Sequence, residues 1–163
     1  MLSTAALTMQ RRIQNPVLFS WWRLAKLPAA AFCGVRLRSL DEARCVTTVP
    51  YGWRSQNPFR STYFAAQAMA AEMSTGALVL LAAEDAGVPF STLIVDVHAT
   101  FGKKATEKAT FTCEAGPAAF AAVREARDTG EARQLPMLSV GTMADGTEVS
   151  RFVFTWSVKA RSR

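Results

Sequence analysis

The carboxyl group of Glu72 stands alone in a run of small apolar residues, FAAQAMAAEMSTG, spanning 64–76. A carboxylate becomes a useful general base or nucleophile when dry surroundings raise its pKa. At 3.6 residues per turn, Ala65, Ala68, Met69, Thr75 and Gly76 share its face of a helix. No Lys or Arg lies three or four residues away, so no helical ion pair holds the group charged. Two placements fit: a carboxylate set against a site, or one emerging on the wetter face of a partly exposed helix. Asp96 and His98, two apart on an alternating run, form a second pairing of the acid–base kind. Two solvent-facing or dimer-edge side chains fit that spacing equally well.

Other chemistries are thinly supplied. Cys33, Cys45 and Cys113 are far apart, lack a C-x-x-C spacing and have only His98 to join them, so no zinc site forms. Neither a metal nor a cofactor is expected. Free thiols are the ordinary state in a reducing compartment, which points to the cytoplasm. The net charge is +6, from nineteen Lys and Arg against thirteen Asp and Glu. These cations are scattered, with small groups at Lys159, Arg161 and Arg163 and at Lys103 and Lys104. No basic stripe interleaves with aromatics, so nucleic acid is not an expected partner. A phosphate-bearing small molecule suits a modestly basic surface, as does charge carried for solubility.

The elements that must hold Glu72 can be read from periodicity. At 163 residues the chain is long enough for one domain with a sizeable core. Its longest apolar runs, such as 77–83, fall short of the roughly 20 residues a membrane span needs, so no span is expected. The leading MLSTAALTMQRRIQ lacks the order of a secretory signal. Its arginine pair and absence of acids are shared with transit peptides, but it reads as an ordinary leading segment. Residues 17–34 have helical periodicity, with a break or kink at Pro28 and a stop at Gly34. Runs 35–40 and 44–53 alternate as a strand hairpin. The Ala-rich helix follows. Run 91–101 then alternates, with Leu93, Val95, Val97 and Phe101 expected on one face. Run 107–115 alternates too, and 117–130 is framed as a short helix by Pro117 and Gly130. The last 26 or so residues of pattern read as two long strands around the hairpin pair Asp145-Gly146. Helix, two strands, long helix and about four more strands make an α+β chain with an antiparallel sheet. An alanine-rich helix fills the hollow of such a curved sheet because methyl groups allow close approach.

Asn-Pro-Phe before this helix, the acid within it and the glycine after it resemble the hot-dog fold of the thioesterase-like superfamily. Within that superfamily the chain is most similar to uncharacterised thioesterase-like families, domains of unknown function. The pattern N-x-x-x-S-x-x-x-A-A-x-x-x-x-A-E-x-x-x-G is met by Asn57, Ser61, Ala65, Ala66, Ala71, Glu72 and Gly76. FGKKATEKATFTCEA resembles the family's strand pair, and FVFTWSVKAR its closing strand. The resemblance implies a curved antiparallel sheet wrapped around the central helix, with an extra N-terminal helix. Residues 1–34 would be a helical extension and 35–163 the hot-dog domain, one globular unit. It also implies a homodimer, or a dimer of dimers, with acyl-CoA-like sites at the subunit boundary.

The function implied is hydrolysis of an acyl-CoA or acyl-carrier thioester, with Glu72 as general base or nucleophile. The N–H groups near Ser61, Thr62 and Tyr63 would be oxyanion donors, since a helix's first turn leaves its N–H groups unpaired. Asn57 would position the carbonyl or the water, although Asn before Pro also serves as a turn residue. Gln67, some 140° round the helix from Glu72, would meet the partner's half of a composite site, or instead bond the backbone or lie exposed. Lys103, Lys104 and Lys108 would meet CoA phosphates or form a solvated turn. Trp21, Trp22, Phe152, Phe154 and Trp156 would be core or interface, or line an acyl tunnel. Many relatives carry His-Gly nine residues before the acid, where this chain has Tyr63. That departure favours an alternative: a non-catalytic hot-dog module that binds an acyl or other apolar ligand.

Overall fold

Proline and small polar caps divide the N-terminal segment into three helices. The computed structural model describes residues 1–161, so Arg163 lies outside the described residues. The helices are α1 (Thr4–Gln14), α2 (Pro16–Lys26) and α3 (Pro28–Phe32). Pro16 and Pro28 each occupy a helix start, where a missing N–H costs nothing, and the helical run read over 17–34 breaks at Pro28 into two. The Ser3 hydroxyl accepts from the Ala6 N–H, and Asn15 Oδ1 accepts from the N–H groups of Val17 and Leu18. Residues read as a plain leading segment are thus an ordered helix. Gln10 and Gln14 of α1 both donate to the Leu40 carbonyl, at 2.8 and 2.6 Å.

Six strands follow: β1 (Arg36–Leu40), β2 (Cys45–Val49), β3 (Phe90–Phe101), β4 (Ala109–Cys113), β5 (Arg133–Thr142) and β6 (Glu148–Ala160). They form one sheet in the order β1-β2-β4-β5-β6-β3, and every neighbouring pair is antiparallel. The sheet wraps the 22-residue helix α4 (Phe64–Asp85), while α5 (Gly116–Thr129) joins β4 to β5. This is the α+β hot-dog architecture that the resemblance implies. Gly34 after α3 and Gly130 after α5 take φ of +78° and +73°, the left-handed conformation that ends helices and that glycine adopts without strain.

Alanine suits α4 twice over. It is the strongest helix former, and its methyl lets strands come close on every side. Ala66, Ala70, Ala71, Leu78, Val79, Leu81 and Ala82 are all buried in one core cluster with Phe111, Met137, Phe152 and Val158 of the sheet. The contact is close enough for direct bonds between layers. Thr47 of β2 donates its hydroxyl to the Ala70 carbonyl at 2.6 Å, and the Ser74 and Ser139 hydroxyls meet at 2.8 Å. By length and hydropathy α4 is also the one described helix apolar enough to cross a bilayer. Here it is the core helix.

The edge strand β3 departs from its simple alternation. Its register against β6 shifts between Ile94 and Asp96, leaving Val95 as a bulge. Before the bulge, Thr92 and Ile94 sit opposite the buried Val158 and Trp156. After it, Val97, Ala99 and Phe101 sit opposite Phe154, Phe152 and Ser150. Leu93 therefore lies on the other face from Val97 and Phe101, contrary to the shared face read from sequence. One extra residue moves a side chain from one face to the other. Asp96 and His98 fall on the outer face, exposed, opposite Thr155 and Val153.

Candidate active site

Glu72 lies midway along α4, more buried than exposed, under the roof made by α2 and α3. Its carboxylate folds back toward the next turn. A methyl placed on Gly76 would come within 3.1 Å of Oε1 and within 3.2 Å of the Trp156 ring. Glycine four residues after the acid thus gives the carboxylate and the indole room to share one spot. Trp156 is fixed there because its indole N–H donates to the Thr75 hydroxyl at 3.0 Å.

Two cavities meet at this carboxylate. One, of about 190 Å³, is walled by Phe19, Trp22, Leu27, Gly76, Thr92 and Trp156 among others. The second, of about 240 Å³, is walled by Lys26, Leu27, Pro28, Met69 and Met73. Apart from Glu72 and Thr92, the first is lined by apolar side chains and Gly76. Among the described residues the Glu72 carboxylate has neither an ion-pair partner nor a hydrogen-bond donor. Burial alone therefore acts on it, and burial pushes its pKa above the ordinary carboxylate range. An unpartnered carboxylate with a raised pKa, facing an apolar cavity, is equipped to take a proton from water or to attack an electrophilic carbon.

The loop before α4 is ordered by Asn57. Its Oδ1 accepts from the N–H groups of Phe59 and Ser61, and its amide donates to the Ser61 hydroxyl. Asn57 thus spends its polar atoms inside its own loop. The N–H groups of Ser61, Thr62 and Tyr63 are likewise engaged, by Asn57 Oδ1, the Ala105 carbonyl and the Ser55 carbonyl. The donors left without an acceptor among the described residues are one step further on, at Phe64 and Ala65 in the first turn of α4. Gln67 is buried, donating to the Thr62 carbonyl and accepting from the Ser150 hydroxyl. Tyr63 is half exposed, its ring edge-on to Phe64. Lys103 and Lys104 are exposed, and the Lys104 ammonium donates to the Phe59 carbonyl at 3.1 Å.

The structure thus groups Glu72 with Gly76, Thr75 and Trp156, and places Asn57, Ser61, Thr62, Tyr63, Lys103 and Lys104 at the helix entrance. Eight residues at 1.5 Å each put Phe64 about 12 Å along the axis from Glu72. Sequence reading missed Phe19, Lys26 and Leu27 as walls of the site. The signal was available: α2 is apolar on more than one side, as a helix is when it covers something.

Solved structures share this fold. A protein from Pseudomonas aeruginosa described as of unknown function and a probable thioesterase aligns with a TM-score of 0.77, at 17% identity, over 92% of this chain and 99% of its own. A protein of unknown function from Chlorobaculum tepidum aligns at 0.74, with 12% identity, over 91% and 98%. A thioesterase from Haemophilus influenzae aligns at 0.59, with 14% identity, over 85% and 87%. Among curated proteins none matches the chain. Residues 16–158 match the family model described as a domain of unknown function, DUF4442, and the chain belongs to that family.

Proposed function

We propose that this chain is a homodimeric thioester hydrolase acting on acyl-CoA or acyl-carrier substrates, with Glu72 as general base or nucleophile. The observation that carries the reading is the unpartnered Glu72 carboxylate at the meeting of two largely apolar cavities. The acyl chain lies against Phe19, Trp22 and Leu27. As base, Glu72 takes a proton from a water that attacks the thioester carbon. As nucleophile, it forms a mixed anhydride that water then opens. In either route the C–S bond breaks, the thiolate leaves with a proton from solvent, and a carboxylic acid is released.

The oxyanion of this reaction needs donors that are free. The N–H groups of Phe64 and Ala65 are free, yet about 12 Å from Glu72 along their own helix. In the proposed dimer the donor end of one α4 meets the acid of the other. Edge strand β3, with Leu93, Val95 and Val97 exposed, is the edge such a partner would extend. In this arrangement Asn57, Ser61 and Thr62 hold the donor turn in shape, Gln67 ties it to β6, and Tyr63 flanks it. Lys103 and Lys104 stand near the same entrance, where they meet a substrate phosphate. A cytoplasmic setting agrees with three free cysteines, two of them buried.

The test is Glu72→Ala assayed on a broad acyl-CoA panel. Turnover is lost while circular dichroism is unchanged; undiminished turnover refutes the reading. One observation favours the second reading, a non-catalytic acyl-binding module: Tyr63 stands at the entrance, with Phe64 beside it. No hydrolysis across the panel, together with a lipid co-purifying in native mass spectrometry, selects that module instead.

A further inference from the structure

The cations that look scattered are balanced very unevenly. Residues 1–40 contain Arg11, Arg12, Arg23, Lys26, Arg36 and Arg38 and not a single Asp or Glu. The remaining thirteen Lys and Arg face all thirteen acids, so the entire +6 of the chain resides in its first forty residues. Structurally these residues are α1 to α3 and β1. Arg11, Arg12 and Lys26 are exposed, and none meets a carboxylate among the described residues.

The same segment carries an apolar face that none of the described residues covers. In α2, Val17, Leu18, Trp21 and Leu24 fall within about 120° of one another at 100° per residue. They are 63%, 53%, 71% and 57% exposed, while Phe19 and Arg23 on the opposite side are buried. Burying Phe19 and exposing Trp21 cannot both serve packing within one chain. A helix with Trp and Leu on its outer face, in a segment of wholly positive charge, matches the chemistry of an anionic lipid surface: ring and chains at the headgroup level, cations at the lipid charges. A protein partner would need an equally apolar patch ringed by acids. A lipid surface supplies both features everywhere.

We infer that α1 and α2 dock this protein on anionic membrane surfaces through Val17, Leu18, Trp21 and Leu24. A cavity of about 600 Å³ supports this placement. Its walls include Arg12 and Leu18 at the surface, and Ile13, Phe19, Trp22 and Leu80, which it shares with the Glu72 cavity. A docked molecule thus presents the open end of its apolar path to the lipid. An acyl chain partitioned in the membrane passes along Trp22 toward Glu72, a step that rests on the thioesterase reading, whereas docking does not.

The experiment is co-flotation of the full chain with vesicles of phosphatidylcholine alone and of an equal mixture with phosphatidylglycerol, at low and high salt. Binding is expected on the mixed vesicles at low salt, weakened by salt and weak on phosphatidylcholine. Trp21→Ala with Leu24→Ala is expected to reduce it about tenfold, and Arg11→Ser roughly fivefold, with circular dichroism unchanged. No flotation on mixed vesicles refutes docking, as does a double variant that floats like the parent. Salt-sensitive binding to an RNA duplex without flotation also refutes it. So does a dimer in sedimentation equilibrium that the double variant dissociates, again without flotation. Turnover of a soluble short-chain acyl-CoA is measured alongside. Turnover without flotation overturns docking alone, and flotation without turnover overturns only the hydrolase reading.

Discussion

Replacing Glu72 by Gln separates the charge of this residue from its shape. The carboxylate sits against Gly76 and Trp156, with no hydrogen-bond donor or ion-pair partner among the described residues to offset its desolvation. Burial raises its pKa, so the fold prefers the neutral acid and the unfolded chain, with an ordinary value of about 4.3, does not. The sign follows. The neutral form's advantage is fully present below the unfolded value and is lost as pH rises through the raised folded value. Above that point the ionised Glu72 is a fixed destabilisation that Gln lacks. Every tenfold weakening of the acid by burial corresponds to about 1.4 kcal/mol. In a domain of this size that is about 3–6 °C in Tm. Thermal unfolding of both proteins, at one protein concentration, is therefore expected to give nearly equal Tm at about pH 4. By about pH 8 the Gln variant is the more stable by that margin for each tenfold change. On the proposed hydrolase reading, the parent's kcat/KM rises through the same pKa that the stability difference reports, because base and buried acid are then one group. A Gln variant no more stable than the parent at high pH would refute the reasoning, since it would mean a solvated carboxylate or an unseen partner.

Three further outcomes follow from contacts. Gly76→Ala gains up to about 1 kcal/mol of helix propensity, but its methyl would lie 3.1 Å from the Glu72 carboxylate. Stability is expected to change little while turnover falls, as measured by urea unfolding beside kcat/KM. Gln67→Ala leaves the Thr62 carbonyl and Ser150 hydroxyl without their partner, and urea unfolding is expected to show a loss of about 2–3 kcal/mol. Gly116→Ala would place a methyl 2.1 and 2.5 Å from the Glu42 and Ala43 carbonyl oxygens. Because backbone must move, a loss of about 3 kcal/mol or more is expected in the same measurement, or no soluble protein at all.

Elements whose periodicity agrees with their burial were legible in the sequence. The alanine run, the clean alternation of β6 and the Asp145-Gly146 turn each point to a single local structure, and the sheet order closes around them. Two features escaped for physical reasons. The bulge at Val95 is a register choice made against β6, which β3's own alternation cannot show. The helix α1 has few large apolar residues and is held by bonds to distant partners, Ser3 to Asp85 and Gln10 and Gln14 to Leu40. At the site, the isolation of Glu72 was visible as the absence of cations one turn away. The apolar faces of α2 signalled that it covers something, but not that it roofs Glu72, because α2 and α3 come from forty or more residues earlier in the chain.

The placement of Glu72 explains why the helix around it is made as it is. Holding a carboxylate partly out of water lowers stability, and only a well-compensated core tolerates that. The other polar side chains on the buried turns of α4 are each satisfied: Gln67 by Thr62 and Ser150, Ser74 by Ala71 and Ser139, Thr75 by the Glu72 carbonyl and Trp156. Between residues 67 and 75 of this helix, four polar side chains are thus buried or half-buried, and three of them have partners. A helix selected only for packing would have no reason to keep the fourth, since alanine at position 72 would extend its neighbours and remove the desolvation. A helix selected to leave a solvated charge would not place it beneath Phe19, Trp22 and Leu27. What reconciles a costly carboxylate with otherwise complete polar pairing is a ligand or water that must be met by an unsatisfied oxygen, and thioester hydrolysis is a reaction with that requirement.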